Sequence, residues 1–174
     1  SGHWGNYFDP ILEKNGKIIK TEGYINDVIT NEAISFIQKS NKPFLSFISY
    51  NTPHSPMQVP DKYFDGKDIL LRGRYSKREN IEKTKAAMGM IENIDENIGN
   101  VIRSLKEKGV YENTIIIFFS DNGPNGNRWN NDLKDRKGST NEGGVRVPFF
   151  IQWPKNIKKG LKIKQISSVL DVFP

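Results

Sequence analysis

Apolar positions along the chain predict two helices and three strands. Ile25, Ile29, Ala33 and either Phe36 or Ile37 recur at helical spacing, so a helix is expected over 26–39, closed by Pro43. Residues 44–50 (Phe44-Leu45-Ser46-Phe47-Ile48-Ser49-Tyr50) read as a buried strand, being short and rich in aromatic and β-branched side chains. Pro53, Pro56 and Pro60 exclude regular structure from much of 51–77. A second helix is expected over 79–108, where Ala87, Met88, Ile91, Ile94, Ile98, Val101, Ile102 and Leu105 form an apolar stripe. Lys106 and Lys108 fall in its last turn, where the helix dipole favours cations, and Gly109 suits a left-handed cap. Residues 114–119 are apolar at nearly every position, as in a strand covered on both faces. Residues 147–153 predict a third strand, and 166–173 the start of another helix. The opening 1–24, rich in glycine, asparagine and aromatics, reads as loop. No repeat or linker divides the chain, and the strand–helix–strand order implies a single α/β layer fold.

Composition narrows the chemistry. The 174 residues carry 26 Lys+Arg against 20 Asp+Glu, a net charge of +6, with 36% hydrophobic and 26% charged residues. This excludes a collagenous, low-complexity or wholly disordered chain. A membrane-spanning helix needs about 20 apolar residues, and the longest apolar run is 115–119. Cysteine is absent, which removes disulfides, thiolate metal sites and a cysteine nucleophile. His3 and His54 are the only imidazoles, so any metal site must rest mainly on oxygen ligands. Lysines are scattered apart from a cluster over 155–164, which reads as a solvated surface with a mild preference for anions. The chain starts without methionine and stops in mid-pattern at Leu170-Asp171-Val172-Phe173-Pro174, so an internal piece of a longer protein is expected.

Three loops follow the expected strands or lead into one, and each carries groups suited to an anion or a hard cation. Ser120-Asp121-Asn122-Gly123 stands beyond the carboxyl end of a strand, where open α/β sheets bind ligands. Asp121 and Asn122 offer oxygen donors for Ca²⁺ or Mg²⁺, although a strand-ending Asx turn uses the same residues. In Asn51-Thr52-Pro53-His54-Ser55-Pro56 the prolines stiffen the backbone and aim His54 outward, to contact an anionic oxygen or pass a proton. In the third, Lys137-Gly138 leads to Glu142-Gly143-Gly144-Val145-Arg146, and the lysine can hold charge that develops on a leaving oxygen. Glu142 and Arg146 are spaced for an ion pair. Together these groups suit an ester of phosphate or sulfate, and the residues do not choose between the two. The shortage of histidine argues against a histidine-rich two-zinc centre.

The order of short motifs resembles the middle of a type I sulfatase of the alkaline-phosphatase superfamily. The motifs run from Gly2-His3-Trp4-Gly5-Asn6-Tyr7-Phe8 through Thr52-Pro53-His54-Ser55-Pro56, Ile94-Asp95-Glu96-Asn97-Ile98-Gly99 and Ser120-Asp121-Asn122-Gly123 to Lys137-Gly138, Glu142-Gly143-Gly144-Val145-Arg146-Val147-Pro148 and Asp171-Val172-Phe173-Pro174. The resemblance implies a central, mostly parallel sheet flanked by helices, with 1–174 forming part of one catalytic domain. It implies that Asp121 and Asn122 are late ligands of Ca²⁺ (or Mg²⁺). It gives His54 the role of contacting sulfate and protonating the departing alcohol, and Lys137 that of holding a sulfate oxygen and the leaving oxygen. Gly143, Gly144 and Arg146 would be structural, and Asp95 a packing or capping residue. The family's nucleophile is a formylglycine made in a Cys/Ser-x-Pro-x-Arg motif, which this chain lacks. That motif, the early metal-binding aspartates and an upstream Lys and His are expected before Ser1, so this segment alone is expected to be inactive. A second departure is Lys134-Asp135-Arg136, where the family usually has Arg-Gly.

The implied reaction is hydrolysis of a sulfate ester to alcohol and sulfate by a formylglycine hydroxyl assisted by Ca²⁺. A phosphodiesterase or phosphonate-ester hydrolase of the same superfamily, and a non-catalytic anion- or polysaccharide-binding relative, are the alternatives. The expected partner is a sulfated small molecule or carbohydrate, with no nucleic acid. Substrate contacts are expected within 55–80 and 124–136, with Arg128 and Trp129 as candidates for a sugar or aromatic ring. The resemblance implies a periplasmic, extracellular or lysosomal location.

Overall fold

The computed structural model describes residues 5–65 and 76–172. A two-stranded hairpin stands where loop was expected. Strand β1 (Ile11–Lys14) pairs antiparallel with β2 (Lys17–Lys20), Ile11 opposite Lys20 and Lys14 opposite Lys17. The connecting Asn15 and Gly16 have φ of 52° and 79°. Asn-Gly is the dipeptide that most readily takes two left-handed residues in succession, so it closes the hairpin.

The two predicted helices are both present. Helix α1 (Ile25–Lys39) packs against the long helix α3 (Ile81–Glu107), and the one-turn α2 (Asp61–Phe64) packs against α3 as well. Helix α3 starts at Asn80, whose side chain accepts from the Lys83 N–H at 2.9 Å. It stops at Gly109, with φ of 77°; the Gly109 N–H donates to Lys106 O at 2.9 Å and the Val110 N–H to Leu105 O at 3.0 Å. This pair of bonds satisfies carbonyls that the helix end would otherwise leave open. The core around the N-terminal half gathers Tyr7, Tyr24, Ile25 and Met90, with Leu12, Ile29, Met57 and Val59 packed on it. Asp95 sits exposed in the middle of α3, so it neither caps the helix nor packs in the core.

Gly99 lies within α3 with open space where a Cβ would stand. Gly99→Ala should therefore stabilise the chain by about 0.5–1 kcal/mol, because alanine loses less backbone entropy in a helix. A thermal melt checks this, and destabilisation would show that this turn is not helical in solution.

Strand β3 (Ile116–Phe119) pairs antiparallel with β4 (Phe149–Gln152), Ile116 opposite Gln152 and Phe119 opposite Phe149. Phe118 stacks on Phe150 and Phe119 on Phe149, with ring centroids 6.2 and 6.0 Å apart. A mostly parallel sheet was expected; among the described residues the ladder of β3 is this antiparallel one. Between the strands lies the one-turn helix α4 (Glu142–Val145).

Two expected elements differ. Residues 44–50 form no ladder among the described residues, since nothing there pairs with their N–H and C=O groups. The period-two pattern of a strand survives in their burial: Phe44, Ser46, Ile48 and Tyr50 are half-buried, while Leu45 and Phe47 are 79% and 80% exposed. The helix expected over 166–173 is a single 3-10 turn, Val169–Val172. Its residues are largely exposed, and a short helix without packing does not sustain itself. Phe173, Pro174 and the opening Gly2-His3-Trp4 lie outside the described residues.

Candidate active site

The Ser120-Asp121-Asn122-Gly123 turn leaves the end of β3. The Ser120 N–H donates to Pro148 O at 3.3 Å and its hydroxyl to Asn122 O at 3.2 Å. The Gly123 N–H then donates to Gly144 O at 2.8 Å. A Cβ on Gly123 would lie 1.9 Å from Gly143 O, and its φ is not left-handed. Glycine is required here for close approach of two backbones, not for a turn. The glycine pair has the same reason: a Cβ on Gly143 would meet Asp135 O at 2.0 Å, and one on Gly144 would meet Ser139 O at 2.1 Å. Glu142 and Arg146 form the expected ion pair at 3.0 Å, on the surface.

The same weave returns Lys137 to the turn. Its N–H donates to Pro124 O at 3.0 Å, one residue past Gly123. Asp135 holds a φ of 62°, a left-handed conformation that glycine favours and that aspartate tolerates better than most side chains. The Asp135 carboxylate also accepts from the Asn141 amide and from the Ser139 hydroxyl, the latter at 3.3 Å. Asn130 donates to Leu133 O at 3.3 Å and Asp135 O at 3.1 Å, closing the loop from inside. The Lys137 side chain is exposed and makes no ion pair among the described residues.

Arg128 and Trp129 diverge in the same loop. Arg128 is half-buried and donates from Nη2 to Lys83 O at 3.2 Å, which moors the loop to α3. Burial pulls its guanidinium below the usual arginine value, with the Glu79 carboxylate opposing. That ordinary value is so high that the group stays charged. Trp129 is 52% exposed.

His54 is placed by another set of contacts. The buried Tyr7 directs its hydroxyl at Ser55 O, 3.0 Å away, with Asn51 O and His54 O each at 3.4 Å. Thr52, also buried, accepts from the Asn26 amide at 2.7 Å. The same amide nitrogen donates to Asn93 Oδ1 at 2.9 Å, and Asn93 donates to Asp27 at 2.8 Å. The turn is thus fixed to α1 and α3 from beneath. His54 itself is half-buried rather than aimed fully outward, with Nδ1 3.0 Å from Ser55 O. The described bonds join Asp121, Asn122 and Lys137 in one loop system and set His54 on a second. Tyr7, Asn26 and Asn93 were not singled out from the sequence. The available signal was polar: Asn93 and Asn97, one helical turn apart, interrupt the face that carries Met90 and Ile94.

The donor chemistry at the β3 turn fits a hard cation. Among the described residues neither the Asp121 carboxylate nor the Asn122 amide makes a hydrogen bond or ion pair, so their lone pairs are uncommitted. Ca²⁺ takes about 6–8 oxygen ligands. Among the described residues no group of three His, Asp or Glu side chains is placed to hold a metal. Asp121 and Asn122 therefore fit part of a coordination shell and need ligands from elsewhere to complete it.

Known proteins resemble this chain in sequence and fold. The Sulfatase family profile matches residues 3–174. An arylsulfatase of Clostridium perfringens (strain 13 / Type A) is 33% identical over 98% of this chain and 42% of its own length. The uncharacterized sulfatase YdeN of Escherichia coli K12 is 31% identical over 97% of this chain and 30% of its own. The chain thus spans less than half the length of these curated relatives. The crystal structure of Ps i-CgsB in complex with k-i-k-neocarrahexaose superimposes with a TM-score of 0.72 at 35% identity, covering 86% of this chain and 32% of that one. The α/β class and the sulfatase-like, alkaline-phosphatase-type fold expected from the motifs therefore hold. A family profile that matches from residue 3 to the last residue, on a fold shared with a solved relative, establishes that the chain belongs to the sulfatase family.

Proposed function

We propose that this chain supplies part of the catalytic site of a sulfuric ester hydrolase. The observation that supports the reading is the backbone weave that ties Lys137 to the loop following the uncommitted Asp121–Asn122 pair, through the Lys137 N–H to Pro124 O and Gly123 N–H to Gly144 O bonds. Asp121 and Asn122 would hold one Ca²⁺, with Mg²⁺ as the other hard cation that such ligands accept. A cation there supplies positive charge to neutralise sulfate oxygens. The Lys137 ammonium would hold a sulfate oxygen and meet the negative charge that grows on the departing alcohol oxygen; it assists because that oxygen is more negative in the transition state than in the substrate. His54, on its Tyr7-anchored turn, would contact the sulfate and deliver the proton that the leaving alkoxide takes up. The nucleophile, by family resemblance a formylglycine, comes from outside this chain, which has no cysteine and no Ser-x-Pro-x-Arg sequence. The substrate class is a sulfated small molecule or carbohydrate, in keeping with the saccharide held by the solved relative.

The test uses the full-length protein that contains this chain. With an aryl sulfate and a phosphate diester in parallel, the sulfate should be turned over at least about tenfold faster, a difference of about 1.4 kcal/mol in barrier. Asp121→Ala should lower Ca²⁺ affinity and kcat together. Preference for the diester overturns the sulfatase reading in favour of a phosphodiesterase. Unchanged calcium affinity in the variant removes Asp121 from the metal site.

A further inference from the structure

The positive charge of this chain is not spread over it. Between Glu142 and Asp171 there is no acidic residue, and this stretch holds six cations: Arg146, Lys155, Lys158, Lys159, Lys162 and Lys164. Taking six from the 26 cations leaves 20, equal to the 20 acids, so the rest of the chain is balanced and the whole +6 lies in this stretch. Arg146 is committed to Glu142. The five lysines are all exposed, and none of their side chains makes an ion pair or hydrogen bond among the described residues.

The strip is also held in place. The Lys155 N–H donates to Glu112 O at 3.1 Å, and the Asn156 and Ile157 N–H groups both turn back to Trp153 O, at 2.9 and 2.8 Å. Gly160 reverses the chain with φ of 77°. A cleft of about 330 Å³ opens between the end of β4 and this turn, walled by Ile151, Pro154, Ile157 and Leu161 and edged by Lys158 and Lys159.

We propose that the 155–164 strip is a docking surface for a sulfated polysaccharide, separate from the Asp121–Asn122–Lys137 loop system. The assignment of sulfate as the anion rests on the sulfatase reading above; the charge pattern itself does not. Five ammonium groups within the ten residues 155–164 match a repeating anion better than a single sulfate ester. Lysine presents a point charge, whereas base recognition calls on the planar fork of arginine. Residues 154–168 contain no aromatic side chain on which a base could stack. The surface would therefore concentrate a polymeric substrate near the site and steer its approach, an effect that fades with salt.

The experiment compares binding of dextran sulfate, neutral dextran and a DNA oligomer to the full-length protein at about 0.15 M salt. The strip variant replaces Lys155, Lys158, Lys159, Lys162 and Lys164 with Gln. The matched control replaces Lys17, Lys20, Lys39, Lys42 and Lys83 with Gln, which removes the same charge from other exposed positions. The strip variant should lose about tenfold or more in affinity for dextran sulfate and show a shallower salt dependence, and the control should change it by no more than about threefold. Turnover of a small aryl sulfate should be unchanged in both. Equal losses in the two variants overturn the proposal, because net charge alone would then explain binding. Tighter strip-dependent binding to DNA overturns it in favour of nucleic acid. Strip-dependent polysaccharide binding with no sulfate-ester turnover sinks the sulfatase reading and leaves the surface; turnover without strip-dependent binding does the reverse.

Discussion

Replacing Asn93 with leucine should destabilise the protein by about 3 kcal/mol or more, although the side chains are close in size. Asn93 is fully buried on α3. Its Oδ1 accepts from Asn26 at 2.9 Å and its Nδ2 donates to the Asp27 carboxylate at 2.8 Å. Leucine fills the space and serves neither partner. Each buried group left unsatisfied costs about 1–3 kcal/mol, with bonds to a charged partner at the upper end. Asp27 keeps the Asn97 amide at 2.7 Å, so its loss is partial. Asn26 keeps the Thr52 hydroxyl at 2.7 Å, but its own Oδ1 is already buried with no partner among the described residues, so the side chain is left with a single bond. Thr52→Val removes one acceptor from the same amide and should cost a smaller ~1–2 kcal/mol. Denaturant titrations of both variants give the order. A smaller effect for Asn93→Leu than for Thr52→Val would show that the network does not hold α1 to α3 as described. The network also ends two residues from His54, so in Asn93→Leu amide exchange over 51–55 should speed up along with the loss of stability.

The parts of the fold that were legible in the sequence are those whose cause is local. The long helix and its Gly109 stop are set by residues within one or two turns of one another, and both appear as the sequence implies; the stripe does so in part, since Ala87, Ile94 and Leu105 are buried but Met88 and Ile91 are exposed and Met90 is buried in their place, and the helix starts after Asn80. The Asn15-Gly16 hairpin is equally local, although its dipeptide stands amid polar and glycine-rich residues that read as loop. Residues 44–50 show the opposite case. Their composition and burial period are those of a strand, but a ladder also needs a partner, which composition cannot supply. At the candidate site the motif order pointed to Asp121, Asn122 and Lys137, because each stands in a short run of recognisable neighbours. The groups that hold the His54 turn were not legible. Tyr7 reaches carbonyls more than forty positions away, and Asn26 meets Asn93 across 67 positions. A linear pattern carries no information about such pairings beyond the presence of polar residues on an apolar face.

Gly123→Ala should have an effect comparable to that of Asn93→Leu, for a reason of shape instead of polarity. The added Cβ would stand 1.9 Å from Gly143 O and 2.9 Å from Gly143 C, both backbone atoms that cannot rotate aside. Either the β3 turn or the Gly143-Gly144 segment must move, and the Gly123 N–H bond to Gly144 O at 2.8 Å is strained or lost. Overpacking costs about 1–3 kcal/mol, and the lost hydrogen bond adds about 0.5–1.5 kcal/mol. Gly126 provides the contrast within the same loop. There the nearest atom to a Cβ is the flexible Arg128 Nη1 at 3.4 Å, so Gly126→Ala should stay within about 0.5 kcal/mol of the parent. The displacement in Gly123→Ala acts on the residue next to Asn122 and one before Pro124, whose carbonyl accepts from the Lys137 N–H. Under the proposed function it should therefore reduce Ca²⁺ affinity and sulfate-ester turnover of the full-length protein further than the stability loss alone predicts, and Gly126→Ala should leave both near their parent values. If Gly123→Ala proves as mild as Gly126→Ala, the two backbones do not approach as described, and the link between the Asp121–Asn122 pair and Lys137 fails with them.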